Sequence, residues 1–197
     1  MYKNSIMNEI DIQIATKLNS ILSNQCLNTL EVDEKTCACF TGHRPKSLPL
    51  NEDGSMTIEF ASIAYKLKNL IIESIKNGYT YFISGLAHGI DMLCAEFVLE
   101  LKQEYPFIKL ECAIPHISQS RFYSDVDKVR YLNILNKADD FKIISKEYKR
   151  GCMFLRNQYM TNKSSLLIGV WNGKKSGTSN TIDYANKKGI PCKLIMF

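Results

Sequence analysis

Three segments of the chain place glycine beside groups that can bind a phosphate. They are residues 41–45 (TGHRP), 84–91 (SGLAHGID) and 172–180 (NGKKSGTSN). Glycine lets backbone amides approach an anion closely, and amides at the start of a helix carry a partial positive charge. The Arg44 guanidinium adds a planar fork that suits phosphate oxygens. The segments therefore indicate phosphate binding, although each of them alone could equally be an ordinary surface turn.

Residues near these segments add candidates, each with a plainer alternative. Asp91 could contact a ligand or only cap the helix that follows it. His88 could bind a ligand or simply be buried or exposed without function. Arg156 and Asn157, expected near the first turns of a helix, could face the same cleft or lie on the surface. Residues 115–121 (PHISQSR) could line the edge of the pocket.

A Walker-type site is disfavoured. The segment at residues 172–180 contains glycines, two lysines and hydroxyl groups, but it lacks the spacing of glycine and Lys-Ser/Thr that a P-loop requires. We therefore do not expect ATP hydrolysis of the P-loop kind.

A regular alternation of apolar runs and amphipathic segments after residue 33 predicts the framework for these groups. Strands are predicted at residues 36–40, 79–83, 108–114, 141–144, 165–171 and 192–197, and helices at residues 57–77, 90–105, 124–136, 152–162 and 178–188. This pattern is typical of an α/β, Rossmann-like, doubly wound and mainly parallel sheet with helices on both faces. Ligands of such folds bind at the carboxyl ends of the strands, where the glycine segments fall.

Apolar residues that recur from Ile6 to about Leu30 predict an additional N-terminal helix. We therefore divide the chain into an N-terminal helical extension, residues 1–34, and one Rossmann-like ligand-binding domain, residues 35–197. The apolar stripe of the helix must be buried on the domain or against another copy of the chain, so we expect a homo-oligomer.

The composition limits the partners. The net charge is +5, and the sequence has no dense basic run apart from the short one at residues 146–150. A nucleic-acid partner is therefore not favoured. Seven cysteines lack the spacing of a metal site, and we expect them to be reduced, with Cys37 and Cys39 on one face of a strand. The sequence shows no signal peptide and no membrane-spanning run, which leads us to expect a cytoplasmic protein.

Four motifs in the same order resemble the YpsA-like branch of the SLOG superfamily over roughly residues 36–197. They are TGHRP, SGLAHGID, the Arg156-Asn157 pair and the Gly177-Thr178 helix start. The resemblance implies a Rossmann-like fold and ligands related to nucleotides, including NAD-derived molecules such as ADP-ribose and cyclic ADP-ribose isomers. The superfamily also contains the LOG phosphoribohydrolases, which cut a base from a nucleoside monophosphate, and the DprA proteins, which bind single-stranded DNA.

The resemblance also shows where this chain departs from the LOG enzymes. Their Gly-Gly-x-Gly-Thr-x-x-Glu signature ends in a Glu that takes part in hydrolysis, but Thr181 occupies that position here. Asn157 stands where those enzymes have a Lys. Without the carboxylate the obvious group that would activate water is missing. We therefore expect no catalytic residue of the LOG kind.

Our preferred hypothesis is a non-catalytic binder that needs no cofactor and acts as a sensor or as a sponge for an immune signal. Arg44 and Arg156 would hold phosphates, and Asp91 and Asn180 would contact ribose hydroxyls. The alternatives are a LOG-like hydrolase that uses Asp91 or Asp183 and, least favoured, a DprA-like DNA-binding module. The predicted ligand-binding residues are Gly42, His43, Arg44, Ser84, Gly85, His88, Gly89, Asp91, Gln119, Arg156, Asn157, Gly173, Ser176, Gly177, Thr178 and Asn180.

Overall fold

The structure is a computed structural model that describes residues 2–24 and 32–197, with side chains from Glu9 onward in the first helix. The helices are α1 (Tyr2–Asn24), α2 (Ile58–Lys76), α3 (Ile90–Leu101), α4 (Asp125–Lys137), α5 (Cys152–Asn162) and α6 (Gly177–Lys187). The strands are β1 (Cys37–Gly42), β2 (Tyr81–Ser84), β3 (Lys109–Ile114), β4 (Asp140–Ile143), β5 (Leu166–Trp171) and β6 (Cys192–Met196). Short 3₁₀ helices lie at Glu34–Thr36, Pro45–Ser47 and Gln119–Phe122.

The strands form one parallel sheet in the order β4-β3-β2-β1-β5-β6. Helices α2, α3 and α4 pack on one face together with Ala38 and Phe40 of β1. Helices α5 and α6 pack on the other face together with Cys37 and Cys39, which share that face as predicted. The α/β Rossmann-like fold with helices on both faces is therefore confirmed.

The N-terminal helix packs on the domain of its own chain. Ile14, Leu18 and Ile21 are buried in the same core as α4, and the Lys128 Nζ lies 2.8 Å from the Asp11 Oδ2. These three apolar residues are covered within the chain and do not argue for a second copy, whereas Ile12 is 63% exposed. Self-association stays a prediction. The helix begins earlier than the sequence pattern suggested, and its predicted end near Leu30 lies outside the described residues.

The order of the strands reverses between β1 and β5. The chain passes from β1 outward through β2, β3 and β4, and then crosses back to place β5 on the other side of β1. The carboxyl ends of β1 and β5 therefore flank the topological switch point, where open α/β sheets form a crevice for ligands. A separate property of the helices described within residues 2–24 and 32–197 is that each is too short or too polar to cross a lipid bilayer.

Candidate ligand-binding site

A cavity of about 340 Å³ opens at this switch point. It lies between the turns that follow β1, β2 and β5 and one face of α5, and we call it the switch-point cavity. Its walls are Thr41, Gly42, His43, Arg44, Ser47, Ala87, Asp91, Met153, Arg156, Asn157, Ser176, Gly177 and Thr178. The two arginines and the Gly177 turn, far apart in the sequence, thus open onto one space.

Arg156 is the most unusual side chain of the cavity, because it is charged and only 4% exposed. Its guanidinium lies against the backbone of Gly85, where an added Cβ would be 1.5 Å from Nη1. Only glycine therefore fits at the end of β2 while Arg156 keeps this position. The surface location that the sequence also allowed for Arg156 is excluded.

The charge of Arg156 is only partly compensated. Its Nη1 lies 3.6 Å from the Asp91 Oδ2, which is too long for a hydrogen bond. Within the described part of the chain, neither Nε nor Nη1 has a hydrogen-bond partner. A buried donor without an acceptor costs about 1–3 kcal/mol, and more when it is charged. An anion in the cavity would supply acceptors that the protein itself does not provide.

Asp91 lies at the start of α3 and is also buried. Burial raises the pKa of its carboxyl to about 6, although Arg156, the Ala87 backbone amide and Arg44 act in the opposite direction. Burial likewise lowers the pKa of the Arg156 guanidinium, and Asp91 counteracts this effect. The guanidinium stays charged at neutral pH, since arginine does not lose its proton in proteins. The cavity therefore holds a permanent positive charge beside a carboxyl that titrates slightly below neutrality.

The amino end of α6 contributes backbone donors. Ser176 caps the helix, because its hydroxyl accepts from the Ser179 amide (3.2 Å) and its own amide donates to the Ser179 hydroxyl (2.8 Å). Amides in the first turn of a helix have no acceptor within the helix. Gly177 and Thr178 line the cavity, so their amides are available to an anion that binds there, and the helix dipole favours such an anion.

Close packing fixes the turn that follows β1. A Cβ on Gly42 would lie 2.4 Å from the Ile90 Cβ, so glycine lets the start of α3 approach β1. Gly89 has φ +111°, and a Cβ there would lie 2.5 Å from the carbonyl oxygen of His43. The His43 Nε2 accepts a hydrogen bond from the Asn172 amide (3.2 Å), and burial lowers the pKa of this imidazole. These residues hold the β1 and β5 turns together at the rim.

Asn157 and Thr181 join the two helices behind the cavity. The Asn157 Nδ2 donates to the Thr181 Oγ1 (2.8 Å), and that hydroxyl donates to the Gly177 carbonyl (3.0 Å). Asn157 and Thr181, two of the positions at which the sequence departs from the LOG pattern, are thus hydrogen-bonded to each other. Their contact supports the start of α6, where Gly177 lines the cavity.

Several predicted residues lie next to the cavity rather than in it. The Ser84 hydroxyl donates to the Asp91 carbonyl (2.7 Å) and accepts from the Leu86 amide, so it shapes the turn after β2. His88 and Gln119 line a neighbouring groove. Gly173 has φ +77° and belongs to the exposed turn after β5.

Asn180 faces elsewhere. It is exposed and lines a small cleft between α5 and α6 with Phe154 and Tyr184. The structure therefore does not bring its side chain to the cavity, and its proposed contact with a ribose has no support from the geometry.

Four residues of the cavity were not among the predicted site residues. They are Thr41, Ser47, Ala87 and Met153. Met153 lies three residues before Arg156 on α5, a spacing that places both side chains on one helix face. That spacing could have identified Met153, whereas Ser47 is brought in by a 3₁₀ turn without a distinct signal in the sequence.

Comparison with known proteins identifies the family. The family model YpsA, described as the YspA SLOG family, matches residues 38–197. The chain belongs to this SLOG family. Relatives include an uncharacterized SPbeta prophage-derived protein, YoqJ, of Bacillus subtilis, which is 34% identical over 135 residues and aligns with 62% of this chain and 79% of its own. A UPF0398 protein of Bacillus cereus is 30% identical over 152 residues, with coverage of 76% and 82%.

Solved structures of DprA proteins share the fold of this SLOG chain. DprA of Helicobacter pylori, described with a single-stranded DNA binding mode, superposes with a TM-score of 0.55 at 18% identity, covering 80% of this chain and 64% of that one. DprA of Streptococcus pneumoniae gives a TM-score of 0.53 at 17% identity, with coverage of 80% and 49%. The SLOG chain spans less than two thirds of either DprA chain, and the likeness concerns the fold.

Proposed function

We propose that this SLOG-family protein binds a nucleotide-derived small molecule by its phosphate groups in the switch-point cavity. The observation that carries the proposal is the state of Arg156. Two nitrogens of its buried guanidinium, Nε and Nη1, lack hydrogen-bond acceptors among the described residues, and Arg156 lines the cavity at the sheet's switch point together with Gly177 and Thr178. Arg44 adds a second guanidinium at the exposed rim. Phosphate oxygens are acceptors suited both to guanidinium groups and to amides at the start of a helix.

The ligand that we propose is NAD-derived, such as ADP-ribose or a cyclic ADP-ribose isomer. Such molecules carry two linked phosphates, which suits two guanidinium groups at different depths of one cavity. The protein would act as a sensor of this ligand or would sequester it as an immune signal. Binding without turnover agrees with the Asn157–Thr181 hydrogen bond, which occupies the place where a LOG enzyme has its carboxylate and lysine.

Calorimetry tests the proposal. The full chain is titrated with ADP-ribose, cyclic ADP-ribose isomers and AMP, and the ligand is recovered after denaturation. We expect Arg44→Gln to weaken binding roughly tenfold or more, since a charge-assisted hydrogen bond contributes about 1.5–3 kcal/mol. Arg150→Gln is the matched control, because Arg150 is exposed and lies outside the cavity lining. Equal affinities of the two variants, or no binding by the wild type, would refute the proposal.

A phosphoribohydrolase is the second candidate, favoured by one observation. The Asp91 carboxyl lines the cavity and has its pKa raised to about 6, a value suited to general acid–base catalysis near neutral pH. If the protein is a phosphoribohydrolase, incubation with AMP should release free adenine, and Asp91→Asn should abolish this release. Unaltered AMP over a range of pH removes this candidate and leaves the binder.

A further inference from the structure

A second concave surface adjoins the switch-point cavity. It encloses about 880 Å³, and we call it the aromatic groove. Its walls are Arg44, Pro45, Lys46, Ser47, His88, His116, Ser118, Gln119, Arg121, Phe122, Tyr123, Tyr148 and Met153. The groove is larger than the switch-point cavity and comes mainly from the loops after β1, β3 and β4.

Two large aromatic side chains of the groove are exposed. Phe122 is 89% exposed and Tyr148 is 66% exposed. The Tyr148 ring makes a T-shaped contact with His116, with ring centroids 5.4 Å apart, and the guanidinium carbon of Arg121 lies 5.4 Å from the centroid of the Phe122 ring. Both rings nevertheless keep most of their surface exposed. Exposed aromatic faces beside a ligand cavity are the groups on which planar rings stack.

The groove borders the switch-point cavity. Arg44, Ser47 and Met153 belong to the walls of both. A ligand whose phosphate lies at Arg156 therefore reaches the groove by passing Arg44. The part of the ligand that enters the groove is then the group that the sugar carries at its end away from the phosphate.

The charges of the groove restrict what that part is. Arg44, Lys46 and Arg121 line it, and its lining, which lies wholly within the described residues, contains no carboxylate. A cationic ring is therefore disfavoured, whereas a neutral ring is accepted. The Gln119 Nε2 donates to the Gly85 carbonyl (2.9 Å), and within the described structure the Gln119 Oε1 is buried without a donor. A neutral base with an amino group matches this unused acceptor.

We propose that the aromatic groove binds a neutral nucleobase of the adenine type, belonging to the ligand whose phosphate lies in the switch-point cavity. This inference rests on the proposed function and extends it to the choice of base. The base stacks on Tyr148 or Phe122, while its phosphate contacts Arg156 and Arg44. The switch-point cavity then sets affinity for phosphate, and the aromatic groove sets preference among nucleotides.

The test compares AMP with ribose 5-phosphate, which has the same phosphate and sugar but no base. Titration of the full chain should show that AMP binds at least roughly tenfold more tightly, as expected of one stacked base. The double variant Phe122→Leu and Tyr148→Leu should lose this advantage and keep the affinity for ribose 5-phosphate. Both side chains are exposed, so the variant is expected to fold, and thermal unfolding checks this.

Tyr65→Leu serves as the control, since Tyr65 is 71% exposed on α2 and lines neither space. Saturation-transfer NMR adds a direct readout, because the base protons of AMP should receive saturation from the wild type and not from the double variant. Equal affinities of AMP and ribose 5-phosphate for the wild type would overturn the base site and leave phosphate binding intact. Failure of both ligands to bind would overturn the proposed function and this inference with it. Tight, salt-dependent binding of an oligothymidylate that depends on Tyr148 would overturn the inference in favour of single-stranded nucleic acid.

Discussion

The switch-point cavity and the aromatic groove share a wall but are built in different ways. In the cavity, Gly85 fits against the buried Arg156 guanidinium, and Gly42 fits against Ile90, so atoms of the core fix its shape. In the groove, Phe122 and Tyr148 are exposed, with Phe122 at the end of a 3₁₀ helix and Tyr148 in the connection between β4 and α5. The comparison indicates that packing of the core fixes the shape of the cavity, whereas exposed side chains on connecting segments form the groove.

The largest effect is expected from Gly85→Ala. The added methyl group would overlap the Arg156 guanidinium, so either Arg156 or the turn after β2 must move. We expect the free energy of unfolding to fall by about 1–3 kcal/mol, as in overpacked cores, and ADP-ribose binding to be lost. Chemical denaturation and calorimetry measure the two effects.

Gly177→Ala is the stability control for that substitution. An added Cβ at Gly177 meets no atom within 4 Å, and the residue is exposed at the start of α6. We expect the free energy of unfolding of Gly177→Ala to match that of the wild type. If Gly85→Ala were equally harmless, the close fit around Arg156 would not hold in solution.

A dependence of binding on pH should separate the cavity from the groove. Protonation of Asp91 removes the negative charge beside Arg156, so affinity for ADP-ribose should rise as the pH falls through about 6. We expect a change of roughly tenfold, the equivalent of one pKa unit. ADP-ribose suits this measurement because its linked phosphates lack the ionisation near pH 6 of a terminal phosphate.

Asp91→Asn should remove this rise in affinity. His43, whose pKa is lowered by burial, also lines the cavity and gains a proton at low pH, but it does so in both proteins, so their difference reports Asp91. The same raised pKa has a consequence for folding. The stability contributed by this carboxyl is complete below its ordinary pKa of 3.8 and is lost as the pH rises through about 6. Identical pH profiles of ADP-ribose affinity for the wild type and Asp91→Asn would contradict the assignment of the rise in affinity to Asp91.

The smallest effect concerns two tyrosines of the groove. The Tyr123 hydroxyl donates to the Leu86 carbonyl (3.0 Å) and accepts from the His88 amide (3.2 Å), so it ties the groove to the turn after β2. We expect Tyr123→Phe to lower the free energy of unfolding by about 1 kcal/mol. The Tyr148 hydroxyl makes no hydrogen bond to the described residues, and Tyr148→Phe should leave stability unchanged. Equal changes in the free energy of unfolding for Tyr123→Phe and Tyr148→Phe, measured by urea denaturation, would show that the Tyr123 hydroxyl does not tie the groove to the turn after β2.

The sequence predicted the framework well because its signals are local. Apolar runs separated by amphipathic segments specified the parallel sheet, and glycine turns after the strands pointed to its carboxyl edge. The grouping of Arg44, Arg156 and the Gly177 turn was also predicted, and the structure brings them to one cavity. This succeeded because parallel strands bring their carboxyl ends to the same edge of the sheet.

Other features depend on contacts that no local pattern encodes. The sequence did not distinguish a buried Arg156 from a surface one, since burial follows from Gly85, seventy-one positions earlier in the chain. It also assigned Asn180 to the ligand, although Asn180 follows Thr178 by two residues, a helical spacing that turns its side chain away from the cavity and towards a different cleft. Residues 115–121, expected at the edge of the pocket, contribute to the groove, but its exposed aromatic residues, Phe122 and Tyr148, were missed because they come from separate loops and show no periodicity.

A crystal structure of the protein with ADP-ribose would test the central claim most directly. We predict one phosphate between the Arg156 guanidinium and the amides of Gly177 and Thr178, with Arg44 on the second phosphate. An ADP-ribose whose phosphates lie outside the switch-point cavity, with Arg156 still paired only to Asp91, would contradict it.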